Sequence, residues 1–160
     1  MYCRLKGAES GAPTGRRRRC GWLDAVILKN AVRLNGATGL AITKLDVLDG
    51  LESLNICTYY EYRGRPLDVF PASLSMLAEC RPVYETLPGW TETISGIKSY
   101  SRLPRNVKNY LGRIEDLTGT PIDIISVGPD RDQTIVLRNP YARKRPAKKP
   151  AAKAARRRKR

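Results

Sequence analysis

The sequence contains no histidine. Ser-His-Asp and Cys-His catalysis, and any imidazole acid or base, are therefore beyond what this chain can do alone. Cysteine is scarce: Cys3, Cys20, Cys57 and Cys80 form no C-x-x-C pair, so neither a zinc site nor a disulfide framework is indicated. Aromatic residues are few at 7%, and most of them are tyrosines. No run of 18 apolar residues exists, which leaves no membrane-spanning segment, and no basic-then-apolar signal peptide opens the chain. A phosphate-cradling loop of the G-x-x-x-x-G-K-[ST] type is absent as well, so any nucleotide bound here has its phosphates held from elsewhere.

The 160 residues suffice for one domain or part of a larger one, and 41% hydrophobic residues suffice for a core. The net charge of +15 is unevenly placed. Residues 141–160 hold 11 of the 30 Lys and Arg and no acid, whereas residues 1–140 carry 19 basic and 15 acidic side chains. The body is thus nearly balanced, and the high isoelectric point describes the tail. Residues 141–160 lack any large aliphatic side chain and read as disordered, because burial cannot offset their ordering entropy. Eleven positive charges there would allow salt-dependent, sequence-independent nucleic-acid binding; a passive solubilising tail is the plainer alternative. The expected organisation is a body over 1–140 and a tail over 141–160.

Glycines at 7, 11, 15 and 21 with Pro13 prevent a stable helix over residues 1–21. Apolar residues Leu23, Val26, Ile27, Ala31 and Leu34 predict a helix over 22–34, stopped at Asn35-Gly36. Residues 39–43 read as a short buried strand and 53–70 as a β-hairpin turning at Arg63–Pro66. A short helical piece is predicted over 71–77, and an extended segment over 82–90 closed by a Pro88-Gly89 turn. Pro104 opens the clearest helix, with Leu103, Val107, Tyr110, Leu111, Ile114 and Leu117 on one face and Gly119 at its end. Residues 121–127 read as a buried strand and 133–137 as a last short one. Trp22 and Trp90 are expected as core anchors. Helices alternating with strands predict an α/β class: a mixed sheet with flanking helices and a β-hairpin. Ligands of such sheets bind beyond the carboxyl ends of strands, where Lys44–Asp46 and Ser126–Arg131 lie.

Three constellations could carry chemistry. In the run Thr14-Gly15-Arg16-Arg17-Arg18-Arg19, an extended backbone would aim Arg16 and Arg18 together, a good receptor for carboxylate or phosphate oxygens; a solvated basic loop is the alternative. In Lys44-Leu45-Asp46, a carboxylate can accept two hydrogen bonds from the N1 hydrogen and 2-amino group of guanine, a pair adenine lacks, while the lysine stem lies against the base. Asp46 could equally cap a short helix running through Leu51. In Ser126-Val127-Gly128-Pro129-Asp130-Arg131, Gly-Pro after a strand exposes backbone groups that can approach a flat ligand. An ordinary turn, with Asp130 and Arg131 paired to each other, explains it as well.

Taken together, four blocks resemble adenylosuccinate synthetase: Thr14-Gly15-Arg16…Arg18…Cys20-Gly21-Trp22-Leu23-Asp24, residues 43–50, residues 82–90, and Ile124 to Arg131. The resemblance runs from about residue 4 to residue 140 and covers the C-terminal part of that family. It implies the C-terminal portion of a P-loop-GTPase-like fold. It also implies participation in joining IMP and L-aspartate to adenylosuccinate, in the cytoplasm, with consumption of GTP and a requirement for Mg2+. The implied roles are residue by residue. Thr14, Gly15, Arg16, Arg17 and Arg18 match the loop that closes over L-aspartate. Arg16 would also reach IMP, and Arg18 would also approach GTP. Lys44, Leu45 and Asp46 match the guanine-recognition segment; Ser126, Val127 and Gly128 match the loop on the other side of the base. Ala12 and Pro13 depart from the threonines usual before the Thr-Gly-Arg step, which removes two hydroxyls and stiffens the loop. The phosphate-binding glycine loop, the catalytic aspartate and histidine, and the magnesium ligands belong to the family's N-terminal half. Implied partners are therefore GTP, IMP, L-aspartate, and that N-terminal half or a second copy of the chain.

Overall fold

The computed structural model describes residues 6–142 except 8, 9 and 12. The tail from 143 onward, with its expected disorder and nucleic-acid contact, lies outside the described residues, as do Cys3 and Ala12. The chain runs β1 (Leu23–Asp24), α1 (Ala25–Asn35), β2 (Leu40–Ile42), β3 (Leu51–Tyr62), β4 (Arg65–Leu67), α2 (Leu74–Glu79), β5 (Arg81–Trp90), α3 (Arg105–Thr118), β6 (Ile122–Ser126) and β7 (Thr134–Val136). Three 3-10 turns interrupt it at Leu45–Leu48, Tyr100–Arg102 and Arg131–Gln133. Instead of one mixed sheet there are two among the described residues, each mixed. In the first, β3 pairs in parallel with β1 and antiparallel with β4 and β5; in the second, β6 pairs in parallel with β2 and antiparallel with β7. Among the described residues no helix is long and apolar enough to cross a membrane.

Helix α1 starts three residues later than the apolar spacing predicts, because Leu23 and Asp24 are drawn into a strand against Ile56 and Cys57. Asp24 then caps the helix: one carboxylate oxygen accepts the Ile27 N–H at 3.0 Å and the other accepts the Tyr60 hydroxyl at 2.6 Å. Burial, and then this bond to a carboxylate, push the Tyr60 hydroxyl well above the ordinary tyrosine range. Burial likewise raises the Cys57 thiol, with the Asp24 charge adding to it. Gly36 ends α1 with φ +59°, a left-handed cap that glycine adopts without a Cβ clash.

Helix α3 matches its predicted face. Val107, Tyr110, Leu111 and Ile114 are buried in one core shared with Leu54 and Ile56 of β3 and Ile122 and Ile125 of β6. This helix therefore fixes both sheets at once. The Asp49-Gly50 turn is tied to the same core. The Trp90 indole N–H donates to the Asp49 carboxylate at 2.7 Å and the Ile94 N–H donates at 3.1 Å. Trp90 is thus the anchor that was expected. Trp22 is not: it is 40% exposed, because it stands on an irregular segment at the mouth of a groove.

Two further expectations change. Pro88-Gly89 is no turn; both residues belong to β5, which continues to Trp90 opposite Leu51. The strand tolerates Pro82 and Pro88 because, among the described residues, it pairs only with β3, leaving its other edge without a ladder to break. The hairpin's return strand ends at Leu67 rather than at Phe70, and Phe70 packs beside Val26 and Tyr60 in a second small core.

Candidate functional site

Strands β2 and β6 are short, parallel neighbours, with Leu40 opposite Ile122 and Ile42 opposite Ile125. Both leave the sheet at the same edge, so residues 43–48 and 126–130 emerge side by side. Their middle residues explain why the loops stay together: Leu45 is 1% exposed and Val127 0%, and both sit in the main core. The flanking residues Lys44 and Asp46 stand on one of these loops and Ser126 and Gly128 on the other, and buried Leu45 and Val127 have only backbone to offer a ligand.

Lys44 has φ +58°, a left-handed conformation uncommon for a residue with a Cβ and recurrent at functional sites. Its ammonium donates to the Gly7 carbonyl at 2.9 Å. Lys44 rather than Asp46 takes the cap position of the 3-10 turn, so the capping alternative for Asp46 does not hold. Asp46 is half-buried in the first turn, where its carbonyl accepts the Asp49 N–H at 3.2 Å. On the opposite loop, the Ser126 hydroxyl donates to the Gly128 carbonyl at 2.8 Å and the Val127 N–H donates to the Gln133 carbonyl at 2.9 Å. Among the described residues no ion pair joins Asp130 to Arg131; the Asp130 backbone is engaged by Gln133 instead.

The arginine run follows a tight turn. The Gly11 N–H donates to the Arg16 carbonyl and the Gly15 N–H to the Gly11 carbonyl, both at 2.8 Å, and Gly15 has φ +60°. The Thr14 hydroxyl accepts the Arg16 N–H at 3.3 Å. Arg16, Arg17, Arg18 and Arg19 are all exposed and, with Thr14, line one cavity of about 490 Å3. All four arginines of the run thus border one opening. Arg18 also lines a second groove of about 670 Å3, together with Lys44, Trp22, Ala41 and Tyr110. That volume is in the range of small-molecule sites. Arg18 and Arg19 are the residues the two spaces share. Asp46 and Ser126–Gly128 are not part of the larger groove's lining. Sequence reasoning missed Trp22 and Tyr110 as groove residues, and no spacing signal distinguishes them from core aromatics. Among the described residues no three Cys, Asp or Glu side chains group closely enough to hold a metal ion.

Residues 1–135 match the family model described as adenylosuccinate synthetase. The chain belongs to that family. It is 65% identical over 137 residues to the adenylosuccinate synthetase of Desulfatibacillum aliphaticivorans, covering 86% of this chain and 32% of that protein. The relative from Moorella thermoacetica is 59% identical over 138 residues, 86% of this chain and 32% of that one. Among solved structures, fully ligated adenylosuccinate synthetase from Plasmodium falciparum superposes with a TM-score of 0.81 at 41% identity, covering 84% of this chain and 33% of that chain. This member of the adenylosuccinate synthetase family therefore spans about a third of the length of the relatives it matches.

Proposed function

We propose that this chain supplies the guanine-selecting and aspartate-gripping part of an adenylosuccinate synthetase, the GTP-dependent ligase that joins IMP and L-aspartate in purine nucleotide synthesis in the cytoplasm. The observation that carries this reading is the parallel pairing of β2 with β6, with loops 44–46 and 126–128 leaving the sheet side by side. A flat base between them would meet the Asp46 carboxylate at its N1 and 2-amino edge and the lysine stem of residue 44 on its face. Arg16, Arg17 and Arg18 with Thr14 and Gly15 would hold the two carboxylates of L-aspartate, since guanidinium forks match carboxylates in geometry as well as charge. Arg16 would also touch IMP. Arg18, which with Arg19 lines both spaces, suits a contact to GTP as well. Magnesium would accompany the GTP phosphates, with ligands from the remainder of the family's chain.

Partnership with that remainder has physical support. Among the described residues strand β2 pairs on one side only, and its residues are half-buried or exposed. Ile27 and Leu34 of α1 are 48% and 71% exposed, and the larger groove has Ala41, Ile42 and Leu28 along its wall. Open strand edges beside apolar surface are where a missing portion of a fold packs. The expected result is no adenylosuccinate formation by the purified chain with GTP, IMP, L-aspartate and Mg2+. Formation is expected once the N-terminal two-thirds of a family member is co-expressed, followed by product absorbance. Turnover by the chain alone would overturn the division of labour.

A further inference from the structure

We infer that Gln133 is a positioning residue for the base-facing loop, setting how closely the Ser126–Gly128 backbone approaches the nucleotide. This rests on the guanine reading above. Three contacts converge on Gln133. Its carbonyl accepts the Val127 N–H at 2.9 Å, its own N–H donates to the Asp130 carbonyl at 3.0 Å, and its side-chain oxygen accepts the Asp130 N–H at 3.0 Å. One residue thus clasps the loop on both sides of Gly128-Pro129.

The side chain also occupies the space directly against Gly128. A Cβ built on Gly128 would lie 2.1 Å from the Gln133 side-chain oxygen and 2.5 Å from its Cδ. Gly128 is buried and Gln133 half-buried, so the contact is enclosed rather than a chance surface encounter. The glycine at 128 leaves the space that the Gln133 side chain fills, and Gln133 in turn limits how far the loop can sag away from a ligand. Val127 alone cannot do this: it anchors the loop in the core but leaves the following Gly-Pro step without a support.

The side-chain acceptor is the part of this clasp that substitution removes. Gln133→Leu keeps much of the volume and loses the acceptor; Gln133→Glu keeps both. Leaving the Asp130 N–H without its partner removes a hydrogen bond whose loss corresponds to roughly tenfold in an equilibrium. The test titrates the purified full chain and both variants with GTP and with ATP, and follows amide hydrogen exchange without nucleotide. The leucine variant is expected to bind GTP about tenfold more weakly, with ATP binding unchanged, while the glutamate variant stays within about threefold of the parent. Exchange at the Asp130 amide should quicken in the leucine variant alone. If the leucine variant does not fold, Gln133→Met, unbranched and without the acceptor, takes its place. Undiminished GTP preference in the variant lacking the acceptor, or equal loss in both variants, overturns the role of Gln133. A parent chain that binds GTP no better than ATP overturns the guanine reading instead.

Discussion

Replacing Asp46 by asparagine should, on the proposed guanine reading, weaken GTP binding by about 100-fold, because a carboxylate able to accept two donors is exchanged for an amide that can accept only one and turns an N–H toward the other. Charged hydrogen bonds contribute about 1.5–3 kcal/mol each, and a donor left facing a donor costs more than a bond merely absent. The side chain is nearly isosteric, and Asp46 engages the rest of the fold through its backbone carbonyl, so stability should barely change. The sharper readout is a change of preference. Xanthine carries an oxygen where guanine carries the 2-amino group, and the asparagine amide can donate to it. The variant should therefore gain affinity for XTP as it loses GTP. ITP, which has the N1 hydrogen but no 2-amino group, should fall between GTP and ATP for the parent chain. Measured by competition against a fluorescent GTP analogue, a uniform loss for every nucleotide would mean that Asp46 acts through the fold rather than on the base.

The second large effect concerns stability and is read at two glycines. A Cβ on Gly89 would stand 1.9 Å from the Leu51 carbonyl oxygen and 2.8 Å from its carbon, both backbone atoms of the paired strand β3. Neither strand can yield without parting the ladder that joins Leu51 to Trp90 and Ser53 to Pro88. The Gly89 carbonyl also accepts the Asn106 side-chain amide at 2.7 Å, which ties β5 to α3. Gly89→Ala should cost about 3 kcal/mol or more, at or beyond the upper end of ordinary overpacking. Gly112, inside α3, meets nothing within 4 Å of an added Cβ. Gly112→Ala should stabilise by about 0.5–1 kcal/mol, the helical advantage of alanine over glycine. Thermal melts of the two variants should move in opposite directions; a shift of the same sign in both would contradict the contacts described for β5.

How much of this was legible in the sequence follows the range of the interactions. Helix α3 was read nearly to the residue, since a 3.6-residue apolar repeat between Pro104 and Gly119 is local information. The strand ends that carry Lys44–Asp46 and Ser126–Gly128 were found for the same reason. Leu23-Asp24, also apolar then polar, was assigned to a helix because its strand partner lies more than thirty residues away at Ile56-Cys57. Pro88-Gly89 is locally the strongest turn signal in its region. It is overridden by an edge position where proline's missing N–H faces no partner, and by a close approach to Leu51 that only glycine allows. At the site, residue types were informative and neighbourhoods were not. That Arg18 and Arg19 border both spaces depends on where residues 13–22 lie relative to β2, and the Asp130-x-x-Gln133 capping box announces a turn but not its neighbourhood. The role of Gln133 exists only once β6, the 3-10 turn and β7 are placed together.

The most direct test is a backbone amide titration of the isotope-labelled chain with GTP and, separately, ATP. GTP should shift the amides of residues 44–46 and 126–128 together, saturably and at concentrations where ATP leaves them unmoved. Identical shifts from both nucleotides, or GTP shifts confined to the arginines at 16–19, would show phosphate attraction without base selection and contradict the account.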